Sequence, residues 1–314
     1  MRSILRPIPL QLSLLLLSII VALSPLHVKC YAPVPQLLQI HRSTIEQLKL
    51  DPRTSPLPSD PPLPYPDMFY LRHILEYDEG LEEEDEGAIN LLSGIQQTLA
   101  WRRGPGVDIC TSASDAISLA LSSGVWDNDP VLSAAPHSTQ ISPYLKSSII
   151  TTPSSTSDLI YCIRAGSIDD VSLMSAVPVE SLINFFLYAK EVNCQIADSL
   201  SLKTGRFTRV ITANDLSGVN IFGDASFRKA LSEASTTSSK IYPQINGPTL
   251  LLNLPRVLSA LVKLFKPIFP KKVQEKLKFK QGPLKGVEDL REISREGEKR
   301  DVFLKQIREL VEDS

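Results

Sequence analysis

The sequence has few of the residues from which catalytic and metal sites are built. Its 314 residues include only four histidines, which are scattered, and four cysteines. It lacks the G-x-S-x-G, H-E-x-x-H and glycine-rich phosphate-binding motifs of common hydrolases, zinc enzymes and nucleotide-binding enzymes. Cys110, Cys162 and Cys194 have no C-x-x-C spacing, which predicts small buried side chains and neither a disulfide framework nor a zinc site. We therefore predict a protein that is not an enzyme and that uses no metal or other cofactor.

An excess of one charge is absent from the chain as a whole but present in two of its parts. The net charge is −2, whereas Glu76–Glu86 holds eight acids in eleven residues and Lys263–Lys285 holds eight lysines and one glutamate. The lysine block favours peripheral contact with an anionic membrane surface. It does not favour nucleic acid, because no arginines and aromatic residues are interleaved with it. A solvated lysine face is the alternative.

The amino terminus is typical of a secretory signal peptide. Arg2 and Arg6 precede an apolar run, Leu10–Leu23, that ends at Ser24 and Pro25. The run is too short to span a bilayer comfortably, so we predict that residues 1–30 are a cleaved signal peptide. An uncleaved anchor is the alternative.

A second targeting signal and a linker follow the predicted signal peptide. Tyr31-Ala32-Pro33 resembles the cleavage-site motif of algae with secondary plastids, with tyrosine in place of the usual phenylalanine. The residues from there to Asp51 are basic and contain one interior acid, as a transit peptide would. This resemblance implies a plastid location reached through a bipartite sequence; the secretory pathway is the alternative. Residues 51–66 contain seven prolines and predict a linker.

After the linker, the spacing of apolar residues predicts a small helical domain and then an α/β domain. Helices are predicted at 67–72, 88–103, 178–200 and 224–240, and strands at 159–163, 207–213 and 249–254. Ser147–Asp158 predicts a mobile polar loop. Strands that alternate with helices form right-handed crossovers, so we expect a largely parallel sheet flanked by helices.

The stretch from Thr249 to Lys280 predicts a strand, an apolar helix and a basic surface in that order. Thr249–Leu254 is almost wholly apolar, which suits a strand buried on both faces. Pro255 ends the strand and suits the first turn of a helix. The apolar stripe of that helix consists of Leu258, Leu261, Val262 and Phe265. On periodicity alone, the strand and the helix belong to an ordinary core.

The order of the residues that punctuate this stretch resembles that of CRAL-TRIO lipid-binding domains, the family of the yeast phosphatidylinositol/phosphatidylcholine transfer protein. The matching marks are Tyr242-Pro243, Asn253-Leu254-Pro255, Lys266-Pro267 and Lys276. The resemblance extends more weakly from about Asp67 to Lys280. It includes the Leu-Arg and Trp-Arg pairs of the family's helical lead-in, at Leu71-Arg72 and Trp101-Arg102, and an Asp-x-x-Gly that starts at Asp215. Beside a glycine at a strand end, that aspartate is predicted to cap a turn and not to act as a catalytic acid.

The resemblance implies a sheet and a lid helix that enclose an apolar cavity for one lipid, either a phospholipid or another hydrophobic small molecule. The residues that we expect to bind the ligand are Tyr161, Ile163, Ile211, Gln244, Leu251, Asn253, Leu258, Leu261, Val262, Phe265 and Lys276. The implied function is to transfer the lipid or to present it at membranes. The alternative is a membrane-recruited interaction module with a structural lipid and no exchange.

The resemblance also argues against phosphatidylinositol as the ligand. In the family's inositol-lipid binders the Tyr-Pro is followed by an acid, and a basic pair follows the Leu-Arg. This chain has Gln244 in place of the acid and Leu75 and Glu76 around the basic pair, and it keeps only the lysine, Lys276. A neutral or zwitterionic ligand is therefore expected, because charge-assisted hydrogen bonds to the inositol and its phosphate are lost.

These expectations divide the chain into five parts. They are a signal peptide (1–30), a transit-like segment with a proline-rich linker (31–66), a helical lead-in (67–106), a lipid-binding domain (107–280) and a charged C-terminal helix (281–314).

Overall fold

The structure is a computed structural model of the chain, and it describes most of the residues after the amino-terminal segment. The described residues are 32–77, 84–145, 149–153, 159–219, 223–253, 277–280, 282, 284, 287–294 and 296–312. The helices are α1 (Val34–Ile40), α2 (Arg42–Leu50), α3 (Pro66–Tyr77), α4 (Glu84–Arg103), α5 (Val107–Ala120), α6 (Asp129–Ser133), α7 (Ser138–Leu145), α8 (Asp170–Ala176), α9 (Val179–Thr204), α10 (Ala225–Ile241), α11 (Arg291–Ser294) and α12 (Glu298–Glu312). The strands are β1 (Ile149–Pro153), β2 (Leu159–Arg164), β3 (Val210–Asp215), β4 (Asn246–Leu252) and β5 (Leu277–Lys280).

The five strands form one sheet in the order β1-β2-β3-β4-β5. Strands β2 to β5 run parallel, and β1 pairs antiparallel with β2 at one edge. The predicted α/β fold with a largely parallel sheet is therefore confirmed. One local prediction was wrong: residues 149–153, predicted as part of a polar loop, form β1, in which four of the five residues are β-branched. Residues 277–280, part of the predicted basic surface, form the edge strand β5.

The two faces of the sheet are covered by different parts of the chain. On the face that we call the helix face, Leu159, Tyr161 and Val210 pack in one cluster with α9 and α10. On the opposite face, which we call the C-terminal face, the alternate strand residues pack against the end of the chain. That cluster contains Ile160, Cys162, Ile211, Ala213, Leu250 and Leu252 from the strands and Phe303, Leu304 and Ile307 from α12. Within the predicted C-terminal part, 281–314, the apolar side of α12 thus completes the core.

The long helices on the helix face begin where the sequence predicted. Pro178 precedes the first turn of α9, and Gly205, in the left-handed conformation with φ of 71°, ends this helix. The side chain of Asp224 accepts hydrogen bonds from the backbone N–H groups of Ser226 and Phe227 and so caps α10. Both helices return the chain to the amino ends of parallel strands, as a crossover requires.

The segment predicted as transit-like is folded from residue 34 onward. Its two helices, α1 and α2, bury Val34, Leu37, Ile45 and Leu48 in one cluster with Met68 and Leu71 of α3. The backbone N–H of Val34 donates to the carbonyl oxygen of Gly205, with 2.8 Å between nitrogen and oxygen. These helices therefore complete the core of the lead-in.

The prediction of a linker at 51–66 was wrong. Thr54 is fully buried, and its hydroxyl donates to the carbonyl oxygen of Leu48 at 2.6 Å. The Tyr70 hydroxyl donates to the carbonyl oxygen of Thr54, and Arg102 Nη2 donates to that of Pro62. The segment has few apolar side chains, so the hydrogen bonds of its backbone carbonyls fix it to the lead-in.

Within the described part of the chain, no single helix is long and apolar enough to cross a membrane. The pair α8 and α9 passes that test only when the two helices are joined, and they are bent by 114°.

Candidate ligand-binding site

Two rows of side chains cross the helix face of the sheet near the carboxyl ends of its strands. In-register pairing places Tyr161 beside Thr212, and Thr212 beside Thr249, to form the first row. The second row is one step further along the strands and consists of Ile163, Asn214 and Leu251. The parity of the strands puts both rows on the helix face, because the residues between them, such as Cys162 and Ala213, pack on the C-terminal face.

The helix face is less well covered than the C-terminal face. Ile163, Thr212 and Asn214 are only half-buried although β2 and β3 are interior strands. On the C-terminal face the neighbouring Cys162 and Ala213 are fully buried. Side chains of interior strands are ordinarily covered, so the described helices leave part of the helix face available to a ligand.

The structure brings together three of the residues predicted to bind ligand and separates a fourth. Tyr161, Ile163 and Leu251 lie in the two rows on the helix face. Ile211 points to the C-terminal face, where it packs in one cluster with α12 residues, so it does not share a surface with the other three. The sequence assigned Ile211 to an apolar strand correctly but did not determine its face, because a one-residue shift exchanges the faces.

Asn253 has a role at the strand ends that the sequence did not reveal. Its backbone is left-handed, with φ of 53°, and its Nδ2 donates to Oδ1 of Asp215 at 3.0 Å. Its Oδ1 accepts from the backbone N–H of Gly282 at 2.9 Å. A side chain at Gly282 would place Cβ 2.9 Å from Asn253 Nδ2, which is too close. We call this connection between Asn253 and Gly282 the latch.

Asp215 organises the strand end, as predicted. Its Oδ1 accepts from the backbone N–H of Ser217 at 3.0 Å and from the Ser217 hydroxyl at 2.7 Å. Arg164 Nε lies 3.6 Å from its other carboxylate oxygen. With these partners and 4% exposure, this carboxylate serves the turn and not a reaction.

Gln244 is also engaged within the protein. It is fully buried, its Oε1 accepts from Arg209 Nη2 at 2.6 Å, and its Nε2 donates to Glu76 Oε2 at 2.9 Å. The amide thus connects the lead-in to the loops before β3 and β4. The other predicted ligand residues, Leu258, Leu261, Val262, Phe265 and Lys276, lie outside the described residues.

Residues 149–292 match the family model of the CRAL/TRIO domain. This part of the chain is a CRAL/TRIO domain. The match covers β1 to β5 together with α8, α9, α10 and the first half of α11, which is the part of the chain that holds the two rows. Domains of this family bind and carry lipophilic ligands. No curated protein matches the chain.

The lead-in docks onto the CRAL/TRIO domain through a buried arginine in α3. Arg72 Nε donates to Asp198 Oδ1 of α9 at 2.6 Å, and the other two guanidinium nitrogens donate to the carbonyl oxygens of Gln244 and Thr208. Arg72 is 2% exposed. Burial raises the pKa of Asp198 more than the attraction of Arg72 lowers it. Each guanidinium nitrogen therefore has a hydrogen-bond partner, and a buried charge is tolerated under this condition.

A second buried ion pair joins the end of α4 to the same helix of the CRAL/TRIO domain. Arg102 Nη1 lies 2.9 Å from Glu191 Oε1, and Gln195 Nε2 donates to the same oxygen at 2.8 Å. Next to this pair, the ring of Trp101 packs edge-on against Tyr242, with 5.9 Å between ring centroids. The Leu-Arg, Trp-Arg and Tyr-Pro marks found in the sequence therefore hold the lead-in against the CRAL/TRIO domain.

A small cavity lies between the lead-in and the CRAL/TRIO domain. It is lined by Arg72, His73 and Arg102 on one side and by Cys194 and Tyr242 on the other. Its volume of about 40 Å³ has room for a few water molecules and none for a lipid. The cavity is therefore separate from the lipid site that the family implies.

The titratable side chains of the described residues do not form a metal site. No group of three or more His, Cys, Asp or Glu side chains there is arranged to hold a metal ion. Cys110 and Cys162 are free and buried, and burial raises the pKa of both thiols. The two buried carboxylates of α9 face arginines.

His73, which is buried beside the small cavity, is expected to make the folded protein less stable in acid. Burial lowers the pKa of His73 from 6.5 to about 4, and its Nδ1 donates to the carbonyl oxygen of Phe69. The unfolded chain therefore binds a proton at higher pH than the folded protein, and stability is lost as the pH falls from about 6.5 to about 4. The unfolding free energy should drop by about 2 kcal/mol between pH 7 and pH 4.5 through this group alone.

Denaturant unfolding at the two pH values measures this loss. His73→Gln should reduce the difference between pH 7 and pH 4.5, whatever it does to stability at pH 7. His137→Gln, at an exposed histidine, is the control and should leave the difference unchanged. An identical difference in the parent and in His73→Gln would contradict the assignment.

Proposed function

We propose that the protein binds one lipid between the helix face of its sheet and the segment that connects β4 with β5, and that it transfers this lipid or presents it at membranes. The proposal is carried by one observation: Ile163, Thr212 and Asn214 are half-buried in the interior strands of a CRAL/TRIO domain. A surface of interior strands that the described helices do not cover is suited to a ligand with a large apolar part.

The strand order supports the position of the ligand. Strands β4 and β5 are neighbours and parallel, and we propose that the segment connecting them crosses over the helix face of the sheet. Crossovers of this kind are almost always right-handed, and α9 and α10, which make the preceding two, both lie on the helix face. The connection contains the apolar stripe Leu258, Leu261, Val262 and Phe265, which we propose as the lid over the ligand.

Energetics favour exchange at a membrane surface over tight storage. An acyl chain contributes about 0.8 kcal/mol per buried CH₂ whether it lies in a bilayer or in a protein cavity, so transfer is nearly balanced. The protein then has to cover the chain in transit and to open at a surface. The eight lysines between residues 263 and 285 would hold the open form to anionic headgroups.

Transfer between two vesicle populations tests this function and its lipid preference. The purified protein should move a neutral or zwitterionic lipid, with phosphatidylcholine and galactolipids as probes, and should move phosphatidylinositol no faster. The reason is that Gln244 is neutral and bonded to Arg209 and Glu76, which leaves no free carboxylate there for inositol hydroxyls.

Each outcome of the transfer assay has a distinct meaning. Selective and efficient transfer of phosphatidylinositol would overturn the lipid preference. Stable binding of a lipid without any transfer would favour the alternative, a membrane-recruited interaction module with a structural lipid. Mass spectrometry of lipid that copurifies with the protein separates that case from a protein that binds none.

We also propose that residues 1–30 are removed and that Tyr31 directs the remainder to a plastid. The burial of Val34 and its hydrogen bond to Gly205 support a cleavage site before this residue. A fluorescent fusion of the first sixty residues should enter plastids, and Tyr31→Asp should divert it. Secretion of both fusions would leave only the signal peptide and place the protein in the secretory pathway.

A further inference from the structure

Four uncharged polar side chains lie together on the helix face of the sheet. Tyr161, Thr212 and Thr249 form the first row, and Asn214 lies one step along β3 in the second row. On the C-terminal face the same strands bury apolar residues, and the charged residues of that parity, Arg164 and Asp215, come at the carboxyl ends of β2 and β3. A sheet surface made only to hold acyl chains would be expected to be apolar on the helix face as well.

These polar groups are not used by the rest of the described structure. None of the four side chains forms a hydrogen bond with another residue in the ranges that the structure describes. Tyr161 and Thr249 are 5% and 6% exposed, and neither hydroxyl oxygen is among the fully buried, unpaired polar atoms of the described residues. Both hydroxyls therefore remain accessible, and a bound molecule can supply the partner that the described residues do not.

The described strands present no charged side chain to this surface. The residues of β2, β3 and β4 that face the helices in and beside the two rows are Leu159, Tyr161, Ile163, Val210, Thr212, Asn214, Thr249 and Leu251. Arg164 and Asp215 alternate with these residues and so belong to the C-terminal face. Arg164 donates to the backbone carbonyls of residues 287 and 288. Lys190 of α9 donates to Asn246 at the amino end of β4, away from the rows.

We propose that Tyr161, Thr212, Thr249 and Asn214 bind the hydroxyl or carbonyl group of an uncharged lipid and so determine which lipid the site accepts. The inference rests on the proposed function and deepens it. Phosphate and carboxylate groups are bound by cations in proteins, and these rows offer none. Hydroxyl and amide groups both donate and accept, which suits an alcohol or a ketone.

Competition between two probes that differ in one hydroxyl tests the inference. The protein is incubated with phosphatidylcholine vesicles that contain octadecan-1-ol and octadecane, reisolated, and its bound lipid is measured by mass spectrometry. The parent should prefer the alcohol by about tenfold or more, since a site built to hydrogen-bond a hydroxyl discriminates against the analogue without it. Thr212→Val and Tyr161→Phe should each lower this preference severalfold.

Two further variants control for folding and for nonspecific effects. Thr212→Ser keeps the hydroxyl and should keep the preference. Thr111→Val makes the same chemical change on the exposed side of α5 and should have no effect. Thermal unfolding of each variant shows whether the fold is intact.

The possible failures can be told apart. Equal uptake of alcohol and alkane by the parent would overturn the inference while the proposed function stands, and so would full preference retained in both Thr212→Val and Tyr161→Phe. Uptake of phosphatidylcholine in place of both probes would contradict the proposal that the ligand is uncharged. Uptake of no lipid at all would overturn the proposed function itself, and the inference with it.

Discussion

An aspartate at Leu261 or at Phe265 is expected to abolish lipid loading. Both residues belong to the apolar stripe of the segment that follows β4, which we propose as the lid. An unpaired charge in an apolar cavity costs several kcal/mol, and about 1.4 kcal/mol is already a tenfold loss of affinity. Lipid recovered from purified protein, measured by mass spectrometry, should therefore fall by about a hundredfold or more.

Leu119→Asp provides the matched control for these variants. Leu119 is 62% exposed on α5, so the same chemical change there should leave loading unchanged. If Leu261→Asp and Phe265→Asp load and transfer lipid as well as the parent, the lid is not where we propose it. Circular dichroism of each variant checks that the fold is retained.

Of the proposed substitutions, Asp198→Ala is expected to lower the free energy of unfolding the most. It leaves the guanidinium of Arg72 buried without its carboxylate, and breaking a buried ion pair in this way costs about 3–5 kcal/mol. The loss should appear as a lower midpoint in urea unfolding. It should also loosen the lead-in from the CRAL/TRIO domain, because Arg72 reaches the loops before β3 and β4.

A double variant distinguishes loss of the pair from loss of packing. Arg72→Met combined with Asp198→Ala removes the stranded charge and should be less destabilised than Asp198→Ala alone. Glu233→Ala breaks an exposed pair with Lys229 and should change stability by less than about 1 kcal/mol. A double variant no more stable than Asp198→Ala would show that the ion pair is not the source of the effect.

The fold was largely predictable because most of its elements are marked by local chemistry. Pro178 and Asp224 start the two long helices, and apolar runs define β2 and β4. Strand β1 was missed because Thr151, Thr152 and Pro153 look like loop residues until β2 pairs with them. The fold of residues 51–66 was missed because its stability comes from carbonyl groups, which every sequence has.

The candidate site was predicted only in part, because strand parity depends on the whole sheet. Tyr161 and Leu251 were assigned to the ligand surface, and Thr212, Thr249 and Asn214 were not. A signal was present in the sequence, since Thr212 and Asn214 alternate with Ile211 and Ala213. Ile211, an apolar residue of that alternation, was assigned to the ligand side, whereas it packs with the C-terminal helix.

The latch has a consequence for the entropy of closing the lid. Asn253 and Gly282 are 29 positions apart in sequence, yet a side-chain hydrogen bond joins them. The cost of closing a loop is set by bringing its ends together and grows slowly with its length. Because the latch holds both ends beside Asp215, that cost is met once, during folding. In the function that we propose, each later closing of the lid would then be a search within a closed loop, whichever lipid is exchanged.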